Sequence, residues 1–214
     1  ADAPPMRVGD NGFSVKAPDS RHASYYYSLP QLTVSGSVTL AGRQQPVTGT
    51  AWLDHEWSSE LMPATAQGWD WVGLNFDDCS ALMAFRMRDH QNAPLWATAS
   101  LRAPGGEVRT LPPSAVVFTP LRSWRSPRTN IDYPVEWRLR VDDRELLLQP
   151  LLDDQELDSR RSTGAVYWEG AVRVREGGKE IGRGYLEMTG YGEKLRVGSS
   201  IGMESQPANG RAIA

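Results

Sequence analysis

Cysteine, long apolar runs and an excess of charge of one sign are all scarce in this sequence of 214 residues. The single cysteine, Cys79, excludes an internal disulfide and a metal site built from cysteines. No run approaches the ~18 apolar residues that cross a bilayer, so no transmembrane segment is predicted. The formal net charge of −3 gives no reason to bind a polyanion, and nucleic acid is therefore not an expected partner.

Helical periodicity is almost absent as well, because 20 glycines and 15 prolines interrupt the chain. Stretches of alternating hydrophobicity separated by turn residues occur instead, and they predict antiparallel hairpins. The predicted strand pairs are 33–40 with 45–52, 69–76 with 81–88, 95–102 with 108–111, 135–141 with 145–150, and 166–175 with 181–189. This succession favours an all-β, antiparallel up-and-down barrel over a sandwich, since a closed barrel leaves no exposed edge strand.

Segments without this pattern set the predicted domain boundaries. Residues 1–28 are polar and rich in turn residues, so they are interpreted as a connector that precedes a barrel domain at 29–204. The small and polar residues of 205–214 are expected to form a flexible tail. Residues 58–68 and 120–134 are predicted as loops, and the first has room for a short helix over the barrel mouth.

Eight tryptophans are the most unusual feature of the composition. An indole combines a large apolar surface with one N–H donor, so a surplus of tryptophan fits either a thick aromatic core or a pocket for a flat hydrophobic ligand. The core is the more common of the two.

One segment, Asp54-His55-Glu56-Trp57, combines ionisable and aromatic side chains on a predicted strand. Alternation along a strand places Asp54 and Glu56 on one face and His55 and Trp57 on the other. One of the two faces must turn inward. If it is the face of Leu53, His55 and Trp57 point into the barrel, where the imidazole would transfer protons and a carboxylate would tune it. The alternative is that His55 only hydrogen-bonds a nearby backbone group.

The next predicted strand repeats the pattern in Trp69-Asp70-Trp71, with both indoles on one face and Asp70 on the other. Arg86 and Arg88 share one face of the following strand. An inward-facing arginine needs a carboxylate partner, which Glu169, Glu187 or Asp70 can supply, although arginines more often face solvent.

A second polar cluster is predicted near the end of the pattern. Tyr185, Glu187 and Tyr191 are expected on one face, with Glu169 on the preceding strand. Two tyrosines around a carboxylate can orient a ligand or raise the pKa of the carboxyl group. They can equally form the hydrogen-bonded end of a barrel.

Several common catalytic patterns are missing. The sequence has no glycine-rich phosphate loop before a helix and no Gly-x-Ser-x-Gly nucleophile elbow, so a serine hydrolase has little support. Its three histidines, His22, His55 and His90, are too scattered to predict a zinc site. No cofactor and no metal are therefore expected.

Seven motifs follow one another in a fixed order: ASYYYS (23–28), GTAWLDHEW (49–57), GWDW (68–71), LMAFRMR (82–88), YPVEW (133–137), YWEG (167–170) and GYLEMTGY (184–191). Their order and spacing, from about Gly9 to Tyr191, resemble the AttH family. That family is often labelled predicted secreted hydrolase and is related to carotenoid 1,2-hydratase (hydroxyneurosporene synthase).

The resemblance implies two tandem lipocalin-like barrels, of which this chain would hold the second, with residues 1–28 as the tail of the first barrel and the connector. The amino-terminal barrel is then an expected partner, and a secreted or periplasmic location is implied. The family's His-x-Trp pair corresponds to His55 and Trp57. A Tyr-x-Asp arrangement of the hydratases corresponds to Phe85-Arg86-Met87, which has neither the hydroxyl nor the carboxylate, so carotenoid hydration itself is not implied.

Two functions remain open from the sequence. The first is acid/base chemistry, namely hydration, isomerisation or cyclisation, on a hydrophobic small molecule in the barrel cavity. The second is a non-catalytic module that binds a lipid or isoprenoid, and a purely structural domain is a weaker third. The candidate catalytic residues are His55, Asp54, Glu56 and Asp70. The candidate ligand-binding residues are Trp57, Trp69, Trp71, Phe85, Arg88, Tyr133, Glu169, Tyr185, Glu187 and Tyr191.

Overall fold

A computed structural model describes residues 4–195 and is built almost entirely from antiparallel strands. The predicted all-β class is confirmed. The strands are β1 (Met6–Arg7), β2 (Phe13–Val15), β3 (Ala23–Leu40), β4 (Arg43–Glu60), β5 (Ala66–Phe76), β6 (Ala81–Asp89), β7 (Pro94–Arg102), β8 (Val108–Leu111), β9 (Val116–Arg125), β10 (Asp132–Val141), β11 (Arg144–Pro150), β12 (Glu156–Ser159), β13 (Ala165–Glu176) and β14 (Lys179–Thr189). The expected tail at 205–214 lies outside the described residues.

Ten strands form one large sheet that rolls around the main core. Its order is β8-β7-β6-β5-β14-β13-β11-β10-β9, and β12 pairs with β13. The expected closed barrel is corrected in one respect, because the two edge strands, β8 and β9, are not paired with each other. A single-turn 3-10 helix, Pro113–Ala115, connects them, and Pro112 and Pro113 have no amide hydrogen to continue a ladder.

The inward face of this sheet carries the apolar core. Trp137 and Trp168 are its largest fully buried residues, and aliphatic side chains such as Val72, Leu139 and Leu146 pack around them. Removing one such side chain from water contributes roughly 1.5–3 kcal/mol to folding, so the filled interior is the main source of stability. These buried tryptophans fit the core interpretation of the tryptophan-rich composition.

The long hairpin of β3 and β4 lies outside the rolled sheet. Residues 29–60 were expected inside the barrel, but β3 and β4 pair with each other in a separate sheet that also contains β1 and β2. The register of β3 shifts between Leu29 and Leu32, where Gln31 adopts a positive φ of 57°. At this bulge the Asn75 side chain accepts a bond from the Gln31 amide at 3.0 Å, which fastens the hairpin to β5.

Two other expectations change with the structure. Residues 4–28, interpreted as a connector, supply β1 and β2 and bury Met6 and Val8 completely. Residues 58–68 contain no helix, and much of the predicted loop at 120–134 belongs to β9 and β10. Within residues 4–195 no helix reaches the length and hydropathy needed to cross a bilayer.

Candidate functional site

A large cleft lies between the hairpin and the outward face of the rolled sheet. It consists of two adjoining cavities of about 820 Å³ and 340 Å³, which share Asp54, Trp71 and Glu187. β4 lines one side, and β5 and β14 line the other. A volume of this size suits a drug-sized ligand or larger.

Alternation along β4 decides which of its side chains reach the cleft. Trp52 and Asp54 line the larger cavity, and Asp54 and Glu56 line the smaller one. The Asp54 carboxylate accepts hydrogen bonds from Ser28 Oγ at 2.6 Å and from Trp52 Nε1 at 2.7 Å. These donors hold the carboxylate at the centre of the cleft.

The pKa of Asp54 is raised from its ordinary value. Solvent reaches the carboxyl group from the open side of the cleft, but the surrounding protein removes enough water to disfavour the charged form. The bonds from Ser28 and Trp52 act in the opposite direction, and the negative charge of Glu56 adds to the upward shift. Desolvation is the largest of these causes.

Glu187 has the most strongly perturbed carboxyl group in the cleft. Burial raises its pKa to about 7, and the nearby carboxylates of Glu169 and Asp54 contribute in the same direction. Trp69 Nε1 donates a bond of 2.7 Å to Glu187 and partly offsets the shift. Glu169 lies directly opposite Glu187 on β13, and burial raises its pKa too. Glu187 therefore keeps its proton to a higher pH than an ordinary glutamate does.

A buried lysine lies beside the carboxyl groups of the cleft. The ammonium of Lys16 lies 2.7 Å from Glu56, 4.8 Å from the ring centroid of Tyr26 and 4.7 Å from that of Phe85. Burial lowers the pKa of Lys16, while Glu56 opposes the shift. Sequence reasoning missed Lys16 because it lies in the segment interpreted as a connector, and lysine is seldom buried.

The aromatic wall of the cleft depends on one glycine. Trp52 and Trp71 meet edge to face, with centroids 6.2 Å apart, and Trp71 Nε1 donates to the Tyr26 hydroxyl at 3.0 Å. A Cβ at Gly73 would lie 2.5 Å from the Trp71 ring and 2.9 Å from the Trp52 ring. Gly73 therefore leaves the space that these indoles occupy.

Asp70 is placed on the other side of the same sheet, in the core. Its carboxylate accepts hydrogen bonds from Arg86 Nε at 2.8 Å, from Arg86 Nη2 at 2.5 Å and from the Tyr191 hydroxyl at 2.8 Å. It also forms an ion pair with Arg88, whose Nε lies 2.9 Å away. We call Asp70, Arg86, Arg88 and Tyr191 the interior cluster. Strand alternation predicts Tyr191 on the same face of the sheet as Glu187. It lies on the opposite face because Gly190, with φ of 71°, interrupts the alternation. The ring of Tyr133 is buried and lies beside Tyr191, with the two ring planes tilted by 55°.

His55 and Trp57 point away from the cleft, and neither enters the rolled sheet. Both are exposed on the opposite face of β4, where Tyr25 stacks on Trp57 at 5.7 Å and the Tyr27 hydroxyl pairs with His55 Nδ1 at 3.0 Å. Of the two orientations that alternation allows, the one in which His55 and Trp57 turn inward is therefore not adopted. On the cleft side, Asp54 and Glu56 have the partners Ser28, Trp52 and Lys16, whereas His55 and Trp57 occupy the other face of β4.

The structure thus divides the predicted site residues among three places. Those in or beside the cleft are Asp54, Glu56, Trp69, Trp71, Phe85, Glu169, Tyr185 and Glu187. Asp70, Arg88, Tyr133 and Tyr191 lie in the interior, and His55 and Trp57 lie on the exposed face. Within residues 4–195, no group of three or more histidine, cysteine, aspartate or glutamate side chains is arranged to hold a metal ion.

A comparison with known protein families identifies the family of this chain. The AttH-like family pattern matches residues 1–191. The chain belongs to the AttH-like family. No curated protein matches the chain at a significant level of sequence similarity.

Three solved structures resemble this AttH-like chain. An AttH protein from Nitrosomonas europaea is 53% identical with a TM-score of 0.85, over 89% of this chain and 59% of that one. Kievitone hydratase from Nectria haematococca is 21% identical with a TM-score of 0.67, over 87% and 58%. CghA is 14% identical with a TM-score of 0.51, over 91% and 60%. The chain therefore spans about three fifths of each of these proteins, and the last two similarities show a shared lipocalin-like fold.

Proposed function

We propose that this chain contributes a cleft in which a hydrophobic small molecule undergoes acid/base chemistry: hydration, isomerisation or cyclisation. The observation that carries the proposal is the pairing of Asp54 and Glu187, two carboxyl groups with raised pKa values, in one cavity walled by indoles. Acid/base catalysis works best with groups whose pKa lies near the working pH. The resemblance to a hydratase fold agrees with this chemistry.

The two carboxyl groups have different roles in this proposal. Glu187, with a pKa of about 7, donates a proton to the bound molecule, and Asp54, held by Ser28 and Trp52, accepts a proton from water or from the ligand. Positive charge that develops on the ligand is stabilised by the faces of Trp52 and Trp71. Glu56, neutralised by Lys16, positions the hairpin rather than moving the proton.

A non-catalytic binding module is the second candidate. It is favoured by the width of the cleft and by its mostly apolar lining of indole and backbone. In that case the raised pKa values of Asp54 and Glu187 reflect only the exclusion of water. The two functions differ in whether a ligand leaves the protein chemically changed.

The exposed face of the hairpin is proposed to bind the amino-terminal barrel of the full-length protein. Trp57 and Tyr25 are each more than half exposed, and His55 lies between Tyr27 and Trp57. Exposed aromatic side chains that stack on one another are typical of a surface that a partner covers. A role for His55 in proton transfer would require a second cavity on this face. A secreted or periplasmic location is proposed from the family resemblance alone.

The experiment begins with mass spectrometry of small molecules that co-purify with the full-length protein. The identified ligand is then incubated with protein in ¹⁸O-labelled water, and its mass and isomeric form are followed. We expect Asp54→Asn to lower turnover at least about 100-fold, the usual contribution of a positioned acid or base, with Glu60→Gln as a matched control outside the cleft. Recovery of an unchanged ligand from every incubation would identify a binding module.

The pH profile gives an independent readout. Because Glu187 must be protonated to act as an acid, turnover should decline as pH rises above about 7. Glu187→Gln should remove that decline together with most of the activity. A profile of the wild type that stays flat from pH 6 to 9 would exclude Glu187 as the acid.

A further inference from the structure

The interior cluster contains more positive than negative charge. Two guanidinium groups, those of Arg86 and Arg88, share the single carboxylate of Asp70. Arg88 also donates to the carbonyl of Thr189 and to the Asn92 side chain. Arg86 directs its remaining terminal nitrogen, Nη1, only to the carbonyl of Phe118, at a longer 3.2 Å. A second acceptor near Arg86 would balance this charge.

Arg86 is also the member of the interior cluster that reaches an opening. Where β7 and β9 approach each other without pairing, they enclose a cavity of about 380 Å³, which we call the seam. Arg86 lines the seam, and the rest of its lining is almost wholly apolar: Pro94, Leu95, Trp96, Ala97, Pro113, Ser114, Val116, Val117 and Phe118. The seam therefore combines one guanidinium with an apolar channel.

A buried donor next to Arg86 points to the same kind of ligand. The ring of Trp137 lies 5.0 Å from the guanidinium carbon of Arg86, and Trp137 is 1% exposed. Its indole N–H has no acceptor among the described residues. Buried donors are normally satisfied, so this N–H leaves one unused donor near Arg86.

We propose that the seam binds an amphipathic carboxylate, with the carboxylate at Arg86 and the apolar chain along Leu95 and Val117. Guanidinium is well suited to bind a carboxylate, and the cavity has room for a chain of moderate length. This site is separate from the cleft, which lies on the outward face of the sheet. The inference does not rest on the proposed function of the cleft.

The test compares dodecanoate with dodecanol, which has the same chain and no charge. Both are titrated into the full chain while heat and tryptophan fluorescence are measured. A hydrogen bond to a charged group contributes roughly 1.5–3 kcal/mol, so dodecanoate should bind at least about tenfold more tightly than dodecanol. Equal dissociation constants would overturn the proposal.

Substitutions of residues that line the seam test whether dodecanoate binds there. Val117 is 39% exposed, so its substitution should leave the fold intact. Val117→Glu places a carboxylate at the seam and should weaken dodecanoate binding at least about tenfold, whereas the matched Val117→Gln should change it less than about threefold. Arg86→Met removes one guanidinium and leaves the ion pair between Asp70 and Arg88 in place. In this variant, dodecanoate should bind no more tightly than dodecanol. Binding that survives Val117→Glu but is lost in Trp52→Ala would place the ligand in the cleft and overturn the proposal.

Discussion

Asp70 and Glu187 are carboxylic acids on neighbouring strands, but they face opposite sides of the same sheet. Asp70 is completely buried and is contacted by two guanidinium groups and a hydroxyl. Glu187 is partly buried and has one neutral donor, the indole of Trp69. The two carboxyl groups differ in the number and charge of their donors. Asp70 is suited to hold the interior together, whereas Glu187 has no charged donor among the described residues to keep it ionised.

The largest expected effect comes from removing the charge of Asp70. Asp70→Asn leaves Arg86 and Arg88 buried without a carboxylate and should lower the free energy of unfolding by roughly 3–5 kcal/mol. Urea denaturation measures this change. Glu187→Gln is the matched control in the cleft and should cost less than about 1 kcal/mol at pH 7. Similar losses in both variants would remove the distinction between the two carboxyl groups.

The second prediction concerns the pH dependence of stability. The pKa of Glu187 rises from 4.5 in the unfolded chain to about 7 in the folded one, so the folded state holds its proton more tightly. The contribution of Glu187 is complete below pH 4.5 and is lost as pH rises through about 7. The loss amounts to roughly 1–3 kcal/mol. Unfolding free energies measured from pH 5 to 8 should decline in the wild type by that much more than in Glu187→Gln.

A smaller effect is expected from Gly73→Ala. The added methyl group would collide with the rings of Trp52 and Trp71 and displace them from the wall of the cleft. We expect a cost of about 1 kcal/mol in stability and about a tenfold weaker affinity for N-phenyl-1-naphthylamine, a neutral hydrophobic probe. Gly36→Ala, where the hairpin leaves open space around the Cβ, is the control. Unchanged probe affinity in Gly73→Ala would show that the probe does not contact these indoles.

The smallest effect is expected at His55. His55 is exposed, so His55→Ala should change the free energy of unfolding of this chain by less than about 0.5 kcal/mol and leave affinity for the naphthylamine probe unaltered. Thermal melts and probe titrations check both values. A large loss of turnover in the full-length protein, without loss of probe binding, would instead support a second cavity on the exposed face.

The sequence predicts the local structure well because strand alternation is a local property. The hairpins β5–β6, β7–β8, β10–β11 and β13–β14 all form where turn residues separate two alternating runs. The faces of Trp69, Asp70 and Trp71 also follow from alternation. Alternation does not show which face is buried, however, and for that reason the sequence leaves the orientation of His55 open.

Long-range strand pairing accounts for the remaining differences between the predicted and the observed strand order. A simple meander would place β4 beside β5, but β14 occupies that position and brings Glu187 next to Trp71. The turn residues around β4 contain no information about a strand more than a hundred residues away. β9 was missed because Pro120 interrupts its pattern, which an edge strand tolerates.

The strand β5 contributes side chains to the cleft on one face and to the core on the other, and this restricts how its sequence can change. Sliding this strand by one residue would carry Asp70 into the cleft and push both neighbouring indoles into the filled interior. A single-residue insertion or deletion within β5 should therefore damage the cleft and the core together. An insertion or deletion of two residues keeps each remaining side chain of β5 on its original face of the sheet, which is compatible with the fold.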